Sequence, residues 1–379
     1  MNQVIIEEAK LQHNINIIKE RVSNVIDDKG NPPKIIAVLK GNAYGMGVEN
    51  VARKLLDNNI NFFAVTEIAE AVELREKGFE NEILVLNSTC IESEIDVIVK
   101  NDFIATVGSI EAIKILNRIA KQNNKIINCH LKIDTGFSRF GFRAEDFINS
   151  KKVLDNLKEL IIKSENIKIT GTYSHFQESY SNDMVSTKKQ FELFMNVIEN
   201  FKKMNIEYGM LHICNSSAFF KYKEMYLNAV RIGSAFSGRL QISDTTGLQK
   251  VGFLESEICE IKDLKKGDKV GYSGTCKLKK DSKVAVVEAG YFDGIGLSGP
   301  KDSARLIDKL RMIKSALLAL TKDGHRYIYI NEKRYPILGR IGMKNFMIDI
   351  SESDIQIGNK VKIDINLILA NQSIERKLR

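Results

Sequence analysis

A lysine at the end of an apolar segment is the first residue of this chain whose type and position suggest chemistry. The segment Ile35–Leu39 has the composition of a buried β-strand, Lys40 follows it directly, and Tyr44 comes four residues later. Burial disfavours a charged ammonium, so a lysine at such a position is pushed toward its neutral form. A neutral amine can form a Schiff base with a carbonyl compound. The alternative is an ordinary surface lysine where a strand leaves its sheet.

Other polar side chains also follow apolar segments, at positions that would gather them at one end of a parallel sheet. A single one of them, such as His175, is more often structural than functional. Together they favour a binding or catalytic site. In chain order they are Lys132, Asp134, Arg139, His175, Asn215, Ser216, Ser217, Arg231, Gly233 and Ser234.

The elements that must position these side chains alternate between strand and helix. This alternation predicts an α/β fold with parallel strands, and about eight strands within residues 1–240 predict a (β/α)8 barrel of the TIM type. Such barrels carry their chemistry at the carboxyl ends of the strands. The predicted strands are Ile35–Leu39, Phe62–Val65, Ile83–Leu86, Phe103–Val107, Ile127–Ile133, Ile167–Tyr173, Met210–Ile213 and Ala229–Ile232, and the clearest helices are Ile68–Lys77, Ser109–Lys121, Ala144–Lys158 and Thr187–Lys203.

The pattern changes after about residue 240, where strand-like segments replace the alternation. We predict a mostly β domain over residues 241–379, with about the first twelve residues of the chain packing against it. A helical pattern at Ser303–Leu320 interrupts the strands. The predicted strands of this domain are Glu257–Ile261, Lys283–Glu288, Arg326–Tyr329, Phe346–Ile350 and Lys360–Ile365.

The composition is that of a globular protein, with 44% hydrophobic and 27% charged residues among 379. No apolar run is long enough for a membrane span, and the N-terminal residues do not form a secretory signal. The five cysteines lack metal-ligand spacing and fit a reducing cytoplasm, with Cys90, Cys129 and Cys214 expected in the core. The net charge of +8 comes from dispersed lysines rather than a basic run, so nucleic acid is not expected as a partner. No metal is expected either, since the cysteines lack metal-ligand spacing.

Eight short motifs follow one another along most of the chain in an order that resembles the alanine racemase family. One such match arises easily by chance, whereas the ordered series does not. The resemblance implies a barrel followed by a β domain, pyridoxal 5′-phosphate as cofactor, and an isomerase that interconverts L- and D-alanine. The motifs are Ala37–Gly47, His130–Gly141, Tyr173–Phe176, His212–Ser216, Val230–Gly233, Val270–Thr275, Gly290–Gly294 and Gly339–Met343.

The resemblance also implies a role for each candidate residue. Lys40 would bind the cofactor covalently, and Arg139 would donate to its phenolic oxygen. Arg231 would face its pyridine nitrogen and, because a guanidinium only donates, would leave that nitrogen unprotonated. The phosphate would be held by Tyr44, Ser216, Gly233 and Ser234, the ring would be lined by His175 and Asn215, and the substrate would meet Arg139, Tyr291 and Met343.

Racemisation removes the Cα proton from one face and returns a proton to the other, so it needs two bases. The resemblance assigns them to Lys40 and to Tyr272, the latter from a second subunit of a head-to-tail homodimer. A tyrosine is a poor base near neutral pH because its pKa is ordinarily about 10. The resemblance therefore implies a relay of His175 and Arg231 that assists Tyr272.

Lys132 has two interpretations. The resemblance suggests that it is carbamylated and orients Arg139. The plainer alternative is a lysine paired with Asp134, two residues away on the same segment.

Four features depart from the family pattern. Met46 stands where histidine is common, and Lys344 stands where aspartate is usual. The segment after Gly290–Pro300 is longer than usual, and residues 366–379 lack the entrance tyrosine of the family. These departures leave open a racemase of serine or of another amino acid such as ornithine or lysine, although Lys344 would repel a cationic substrate.

Other classes of protein remain as alternatives. A decarboxylase of similar architecture would need a cysteine-bearing catalytic motif, and Cys276 is not well placed for one. A non-catalytic cofactor-binding protein would ordinarily lack the second domain. D-alanine biosynthesis in the cytoplasm is the role that the resemblance implies.

Overall fold

The computed structural model describes residues 2–240, 242, 246–299, 306–321 and 327–379. The chain divides into two compact units. The barrel unit comprises Ala9–Val251, and the β unit comprises Met1–Glu8 with Gly252–Arg379.

The first half of the barrel unit follows strand β1 (Gln3–Ile6), which belongs to the β unit. Strands and helices then alternate as the apolar segments predict. The elements are α1 (Glu8–Ser23), β2 (Lys34–Val38), α2 (Lys40–Tyr44), α3 (Val48–Asp57), β3 (Phe62–Val65), α4 (Ile68–Glu76), β4 (Glu82–Val85), α5 (Glu92–Lys100), β5 (Ala105–Val107) and α6 (Ile110–Gln122).

The second half of the barrel unit continues the same alternation. Its elements are β6 (Ile127–Asp134), β7 (Phe142–Arg143), α7 (Ala144–Asn149), α8 (Lys151–Lys163), β8 (Ile167–Tyr173), α9 (Val185–Lys203), β9 (Met210–His212), α10 (Ser216–Lys221) and β10 (Ala229–Ile232), with a 3-10 turn at Lys223–Met225.

Eight parallel strands form the nearly closed barrel, in the order β4-β3-β2-β10-β9-β8-β6-β5. A parallel bridge between Leu84 and Ile104 joins the two ends of this sheet. The strands are nearly continuous in apolar residues because sheet and helices bury both of their faces. The predicted α/β fold class is thereby confirmed.

Two details of the barrel unit differ from the sequence predictions. The single helix expected over Ala144–Lys158 is wrong: it breaks at Ser150, whose extended backbone caps α8 as its side chain accepts a hydrogen bond from the Val153 amide. Cys90 is exposed in the loop before α5, not in the core, whereas Cys129 and Cys214 are buried.

The β unit contains β11 (Gly252–Leu264), β12 (Lys269–Val270), β13 (Cys276–Lys277), β14 (Ser282–Val287), α11 (Leu306–Thr321), β15 (Tyr327–Ile330), β16 (Lys333–Leu338), β17 (Phe346–Asp349), β18 (Lys360–Ile363) and β19 (Glu375–Leu378). Three 3-10 turns lie at Tyr272–Gly274, Tyr291–Asp293 and Leu367–Leu369.

One sheet organises this unit, in the order β14-β17-β16-β15-β18-β11-β1-β19, and β14 pairs with β11 as well. Strand β11 is much longer than the predicted Glu257–Ile261 because it pairs with three other strands, β1, β14 and β18, along its length. Strands β1, β16 and β19 are absent from the sequence predictions. The predicted helix Ser303–Leu320 is observed from Leu306, and its first three residues, like Arg326 of the predicted strand Arg326–Tyr329, lie outside the described residues.

Within the described ranges, no helix is long and apolar enough to cross a membrane.

Candidate functional site

Lys40 and Tyr44 lie on an unusual turn at the carboxyl end of β2. Gly41, Asn42, Ala43 and Tyr44 all have positive φ, between 51° and 62°, so this segment is a left-handed helical turn. This conformation costs roughly 1–2 kcal/mol for each residue other than glycine. A strained segment persists only where its surroundings hold it, which is typical of functional sites.

The turn is held at its base and at its end. The Leu39 amide donates to the carbonyl of Ala64 on β3 at 2.8 Å. The Val48 amide, at the start of α3, donates to Asn42 Oδ1 at 2.6 Å. These contacts fix the backbone that carries Lys40 between two neighbouring elements.

Tyr44 packs on the backbone just beyond β10. A Cβ atom added to Gly233 would lie 2.5 Å from the Tyr44 hydroxyl, so any other residue there would displace the Tyr44 ring. The Gly233 amide donates to Ser216 Oγ at 3.0 Å. Among the described residues, none accepts a hydrogen bond from the Tyr44 or Ser216 hydroxyl. Two hydroxyl donors that adjoin the same glycine suit a phosphate dianion.

Arg231 is the centre of a buried polar chain. Its Nη1 lies 2.8 Å from Nδ1 of His212, and its Nη2 lies 3.2 Å from Nδ1 of His175. His212 Nε2 in turn lies 3.0 Å from Nδ1 of His130. Arg231 also donates to the carbonyl of Ser174 at 2.7 Å.

These distances assign the histidine tautomers. A guanidinium only donates, so Nδ1 of both His175 and His212 accepts. The hydrogen of each neutral ring then lies on Nε2, and His212 donates to His130. Burial, followed by the charge of Arg231, lowers the pKa of His130 to about 3 and lowers those of His175 and His212 well below 6.5. All three rings are therefore neutral near pH 7, beside an arginine whose pKa burial lowers to about 10.

Lys40 is half-buried, and its pKa is lowered by burial and by Arg139, against an opposing effect of Glu70. A lowered pKa enlarges the fraction of neutral, nucleophilic amine. Burial first, and Glu70 second, raises the pKa of Tyr44 to about 12, so Tyr44 remains a phenol that can donate.

Lys132 lies in the barrel interior, with its Nζ 4.2 Å from the centre of the Tyr173 ring. Burial, Arg231 and Arg139 hold its pKa well below the ordinary value. Asp134, which the spacing pairs with Lys132, uses Oδ1 to accept from the amides of Gly136 and Ser138, and its charge opposes the lowering of the Lys132 pKa.

Arg139 is exposed, and its guanidinium lies 4.5 Å from the centre of the Phe137 ring. Phe137 in turn contacts His175 edge-on, with ring centres 5.2 Å apart. Asn215 caps α10 with its Oδ1, which also accepts from Ser179. Ser234 follows Gly233 and is half-buried. The predicted residues of the barrel unit thus lie on β2, β6, β8, β9 and β10 or directly after them, at one end of five neighbouring strands.

In the β unit, a second group of predicted residues lies together. A Cβ atom on Gly342 would lie 3.5 Å from the Tyr272 ring, and the Tyr291 amide donates to the Gly342 carbonyl at 3.0 Å. Met343 follows Gly342, so the three side chains flank one loop. All three are exposed, Tyr272 most of all at 68%.

Lys344 does not stand alone in this group. Its Nζ lies 2.9 Å from Oδ1 of Asp293, a carboxylate that is 1% exposed. The Gly290 amide donates to the other oxygen of Asp293 at 2.9 Å. Much of the positive charge that the sequence placed here is therefore matched by a buried carboxylate. Met46, the other departure in a motif, is buried in the core.

Comparison with known proteins agrees with this architecture. Residues 6–241 match the family model "Alanine racemase, N-terminal domain", and residues 251–373 match "Alanine racemase, C-terminal domain". An alanine racemase of Methanococcus maripaludis is 30% identical over 92% of this chain and 87% of its own length. One of Clostridium tetani is 33% identical over 86% of this chain and 79% of its own length.

Solved structures share the fold. An alanine racemase of Clostridium difficile 630 has a TM-score of 0.83 at 24% identity and covers all of this chain and 95% of its own. One from a D-cycloserine-producing Streptomyces lavendulae has a TM-score of 0.81 at 20% identity, with coverage of 100% and 97%.

The fold and the two groups of residues define a barrel enzyme with an accompanying β domain. The chain belongs to the alanine racemase family, whose members are pyridoxal-phosphate-dependent amino-acid racemases. The donor set fits this cofactor: an amine with a lowered pKa, two hydroxyls beside Gly233, and an arginine that cannot accept.

Three residues of this site, His130, His212 and Glu70, were not predicted from the sequence to have a role. His130 and His212 extend the polar chain from Arg231, and Glu70, outside the motifs, contacts the turn after Lys40 at the Gly41 amide. Alternation along β6 and β9 places the two histidines on the inward face, but only the folded barrel brings their strands to Arg231.

Proposed function

We propose that the protein interconverts L- and D-alanine by a two-base mechanism, with Lys40 and Tyr272 acting on opposite faces of Cα. The main support is the half-buried Lys40 amine, which has a lowered pKa and lies at the carboxyl end of a barrel strand. Barrel enzymes carry their chemistry at this end.

The cofactor-binding residues of this proposal belong to the barrel domain, residues 1–240. Lys40 holds the cofactor through its amine. Tyr44, Ser216, Gly233 and Ser234 hold its phosphate. Arg139, His175, Asn215 and Arg231 surround its ring. When bound, pyridoxal phosphate supplies an electron sink for the electron pair that Cα retains after losing its proton.

Arg231 and His175 act indirectly in this proposal, by placing a hydrogen-bond donor for Tyr272. The guanidinium donates to both His175 and His212, which fixes the neutral tautomer of each ring. His175 then carries a hydrogen on Nε2, where it can donate to a tyrosinate. A hydrogen-bond donor at that position stabilises the tyrosinate, which is the form of Tyr272 that can accept a proton.

The β domain, residues 241–379, supplies Tyr272 in this proposal. The exposure of Tyr272 supports a role in contact with a second copy of the chain. We propose a head-to-tail homodimer in which Tyr272 of the partner subunit completes each site. Tyr291 and Met343, on the same loop group, line the substrate entrance together with Arg139.

The state of Lys132 is part of the proposal. Its buried amine has a pKa well below the ordinary value and lies against Tyr173 without a carboxylate partner among the described residues. A neutral amine is the form that takes up carbon dioxide, so carbamylation of Lys132 is chemically accessible. A carbamate would provide an anion to orient Arg139.

The cellular role follows from the reaction. We propose a cytoplasmic enzyme that supplies D-alanine for biosynthesis. All five cysteines are free, which supports a reducing compartment.

A deuterium-exchange assay tests the proposed function. The purified protein is incubated in D2O with L-alanine, L-serine and L-ornithine in separate reactions, and the enantiomers are then resolved. We expect deuterated D-alanine with the wild type and with Lys34→Ala, an exposed control on β2, and none with Lys40→Ala. Exchange with serine or ornithine alone would identify that amino acid, rather than alanine, as the substrate. A cofactor absorbance with no exchange from any of the three would overturn the racemase proposal.

A further inference from the structure

The carboxylate of Glu70, on α4, contacts the strained turn that follows Lys40. Its Oε1 accepts a hydrogen bond from the Gly41 amide at 2.5 Å. Its Oε2 accepts from the Thr66 amide at 3.0 Å, the Thr66 hydroxyl at 3.3 Å and the Glu67 amide at 3.1 Å. One side chain thus joins the end of β2, the end of β3 and the start of α4.

The turn needs such a contact because its backbone conformation is unfavourable. Three of its four left-handed residues are not glycine. The chain would relax toward a right-handed conformation if nothing held the Gly41 peptide. The Gly41 amide bonds to a charged acceptor, and such hydrogen bonds are roughly twice as strong as neutral ones.

We propose that Glu70 is a positioning residue of this site: its carboxylate holds the left-handed turn Gly41–Tyr44 and so directs the side chains of Lys40 and Tyr44. The inference deepens the proposed function, on which it rests for the roles of those two side chains. Glu70 acts only through the turn and is not a catalytic residue.

The electrostatics agree with this placement. The charge of Glu70 acts on both side chains that the turn presents, since it raises the pKa of Lys40 against burial and Arg139, and adds to the effect of burial on Tyr44. The carboxylate therefore favours the donor form of Tyr44 while it limits the loss of charge at Lys40.

A glutamine at this position separates the contact from side-chain size. Glu70→Gln is nearly isosteric but has only one acceptor oxygen. If that oxygen faces Thr66 and Glu67, the amide NH2 faces the Gly41 N–H, and the hydrogen bond to the turn is lost. If it faces Gly41, the Gly41 amide keeps only a neutral, weaker acceptor and the contacts at the start of α4 are lost. The Gly41 hydrogen bond is therefore weakened or lost in either orientation.

Two control variants accompany it. Glu73→Gln removes the same charge from the same helix, at an exposed carboxylate 3.9 Å from Lys77. Gly78→Ala strains the chain just beyond α4, because Gly78 has φ +83° and an added Cβ would meet no atom within 4 Å. Gly78→Ala therefore destabilises this region without touching the turn.

The first readout is the amide proton shift of Gly41 in full-length, cofactor-free protein labelled with 15N-glycine. We expect a strongly downfield resonance in the wild type, Glu73→Gln and Gly78→Ala, and an upfield move in Glu70→Gln. An unchanged Gly41 resonance in Glu70→Gln would overturn the proposal, whether or not the protein is a racemase.

The second readout is pyridoxal phosphate affinity, titrated by absorbance. We expect Glu70→Gln to bind about tenfold more weakly, as expected for loss of one charge-assisted hydrogen bond, and both controls to remain close to the wild type. A shifted Gly41 resonance with wild-type affinity would overturn the positioning role. If the wild type itself failed to bind, the proposed function would fail while the Gly41 result still stood.

Discussion

Tyr272 lies on the surface of the β unit, with its ring against Gly342 and most of its side chain exposed. If it serves one face of Cα and Lys40 the other, its removal should affect only one direction of proton exchange. We expect Tyr272→Phe to slow exchange from one enantiomer by roughly 10²–10⁴-fold, the usual contribution of a general base. Exchange from each enantiomer in D2O, followed separately, measures this.

Cofactor binding is the control for this variant. The absorbance of bound pyridoxal phosphate should be unchanged in Tyr272→Phe, because Tyr272 is not among the residues proposed to hold it. Equal loss with both enantiomers, accompanied by loss of cofactor, would contradict a role as the second base.

Lys344 departs from the family motif, and a neighbouring carboxylate compensates its charge. Its ammonium pairs with the buried Asp293, and it also lies 4.3 Å from the centre of the Phe292 ring. Lys344→Ala would leave a buried carboxylate with the Gly290 amide as its remaining described donor. We expect the free energy of unfolding to fall by ~1–2 kcal/mol, since Lys344 itself is half-exposed.

Urea denaturation measures this loss. Lys280→Ala is the matched control, because Lys280 pairs with Glu352 at 3.0 Å and both side chains are exposed. That control should cost clearly less than Lys344→Ala, because an exposed ion pair contributes little to stability. Equal losses in the two variants would mean that the Asp293 pair contributes no more than a surface ion pair.

At the scale of elements, two barrel strands, β6 and β9, and the loop after β8 carry a buried set of neutral histidines. The pKa values of His130, His175 and His212 are all lowered by burial and by Arg231. Below about pH 6.5 the unfolded chain takes up protons that the folded chain excludes. Stability should therefore fall as the pH falls from 6.5 toward 5, by up to ~1.4 kcal/mol per pH unit for each histidine.

Urea denaturation at a series of pH values tests this, with the slope rather than the absolute stability as the readout. His130→Asn removes one of the three groups. The slope of its unfolding free energy against pH should therefore be shallower, by up to the contribution of one proton taken up on unfolding. A slope identical to that of the wild type would show that His130 is charged in the folded protein or does not titrate in this range.

The barrel elements also show where prediction from sequence works. Strands Phe62–Val65, Ile167–Tyr173 and Ala229–Ile232 were predicted with their observed bounds. Apolar and β-branched residues dominate all three, and Phe62–Val65, buried throughout, is a continuous apolar run. The break at Ser150 was missed because helical periodicity persists across it, and only the N-terminal cap of α8 reveals the interruption.

At the scale of the whole molecule, the proposed site joins residues of two subunits. Lys40→Ala and Tyr272→Phe subunits should then complement one another. A heterodimer of the two variants has one site with both changes and one with neither. Equal mixing after unfolding and refolding should restore about a quarter of the wild-type sites.

Alanine racemisation by the mixture, compared with each variant alone, is the measurement. Light scattering during gel filtration gives the oligomeric state of the same samples. A mixture that forms dimers yet shows no more activity than its components would place Lys40 and Tyr272 of one site in the same subunit.

The amino-acid sequence by itself determined the alternation of strands and helices and the identity of the polar residues after five of the barrel strands. Both are local properties: burial dictates apolar runs, and the residue after a strand is known once the strand is known. The tertiary structure decided the left-handed turn after Lys40, the His130–His212–Arg231 chain, the pairing of Lys344 with Asp293, and the addition of β1 and β19 to the sheet of the β unit. The turn is held by Ala64 and Glu70 from outside it, and the other three features join residues far apart in sequence. No local pattern records which distant group will meet another.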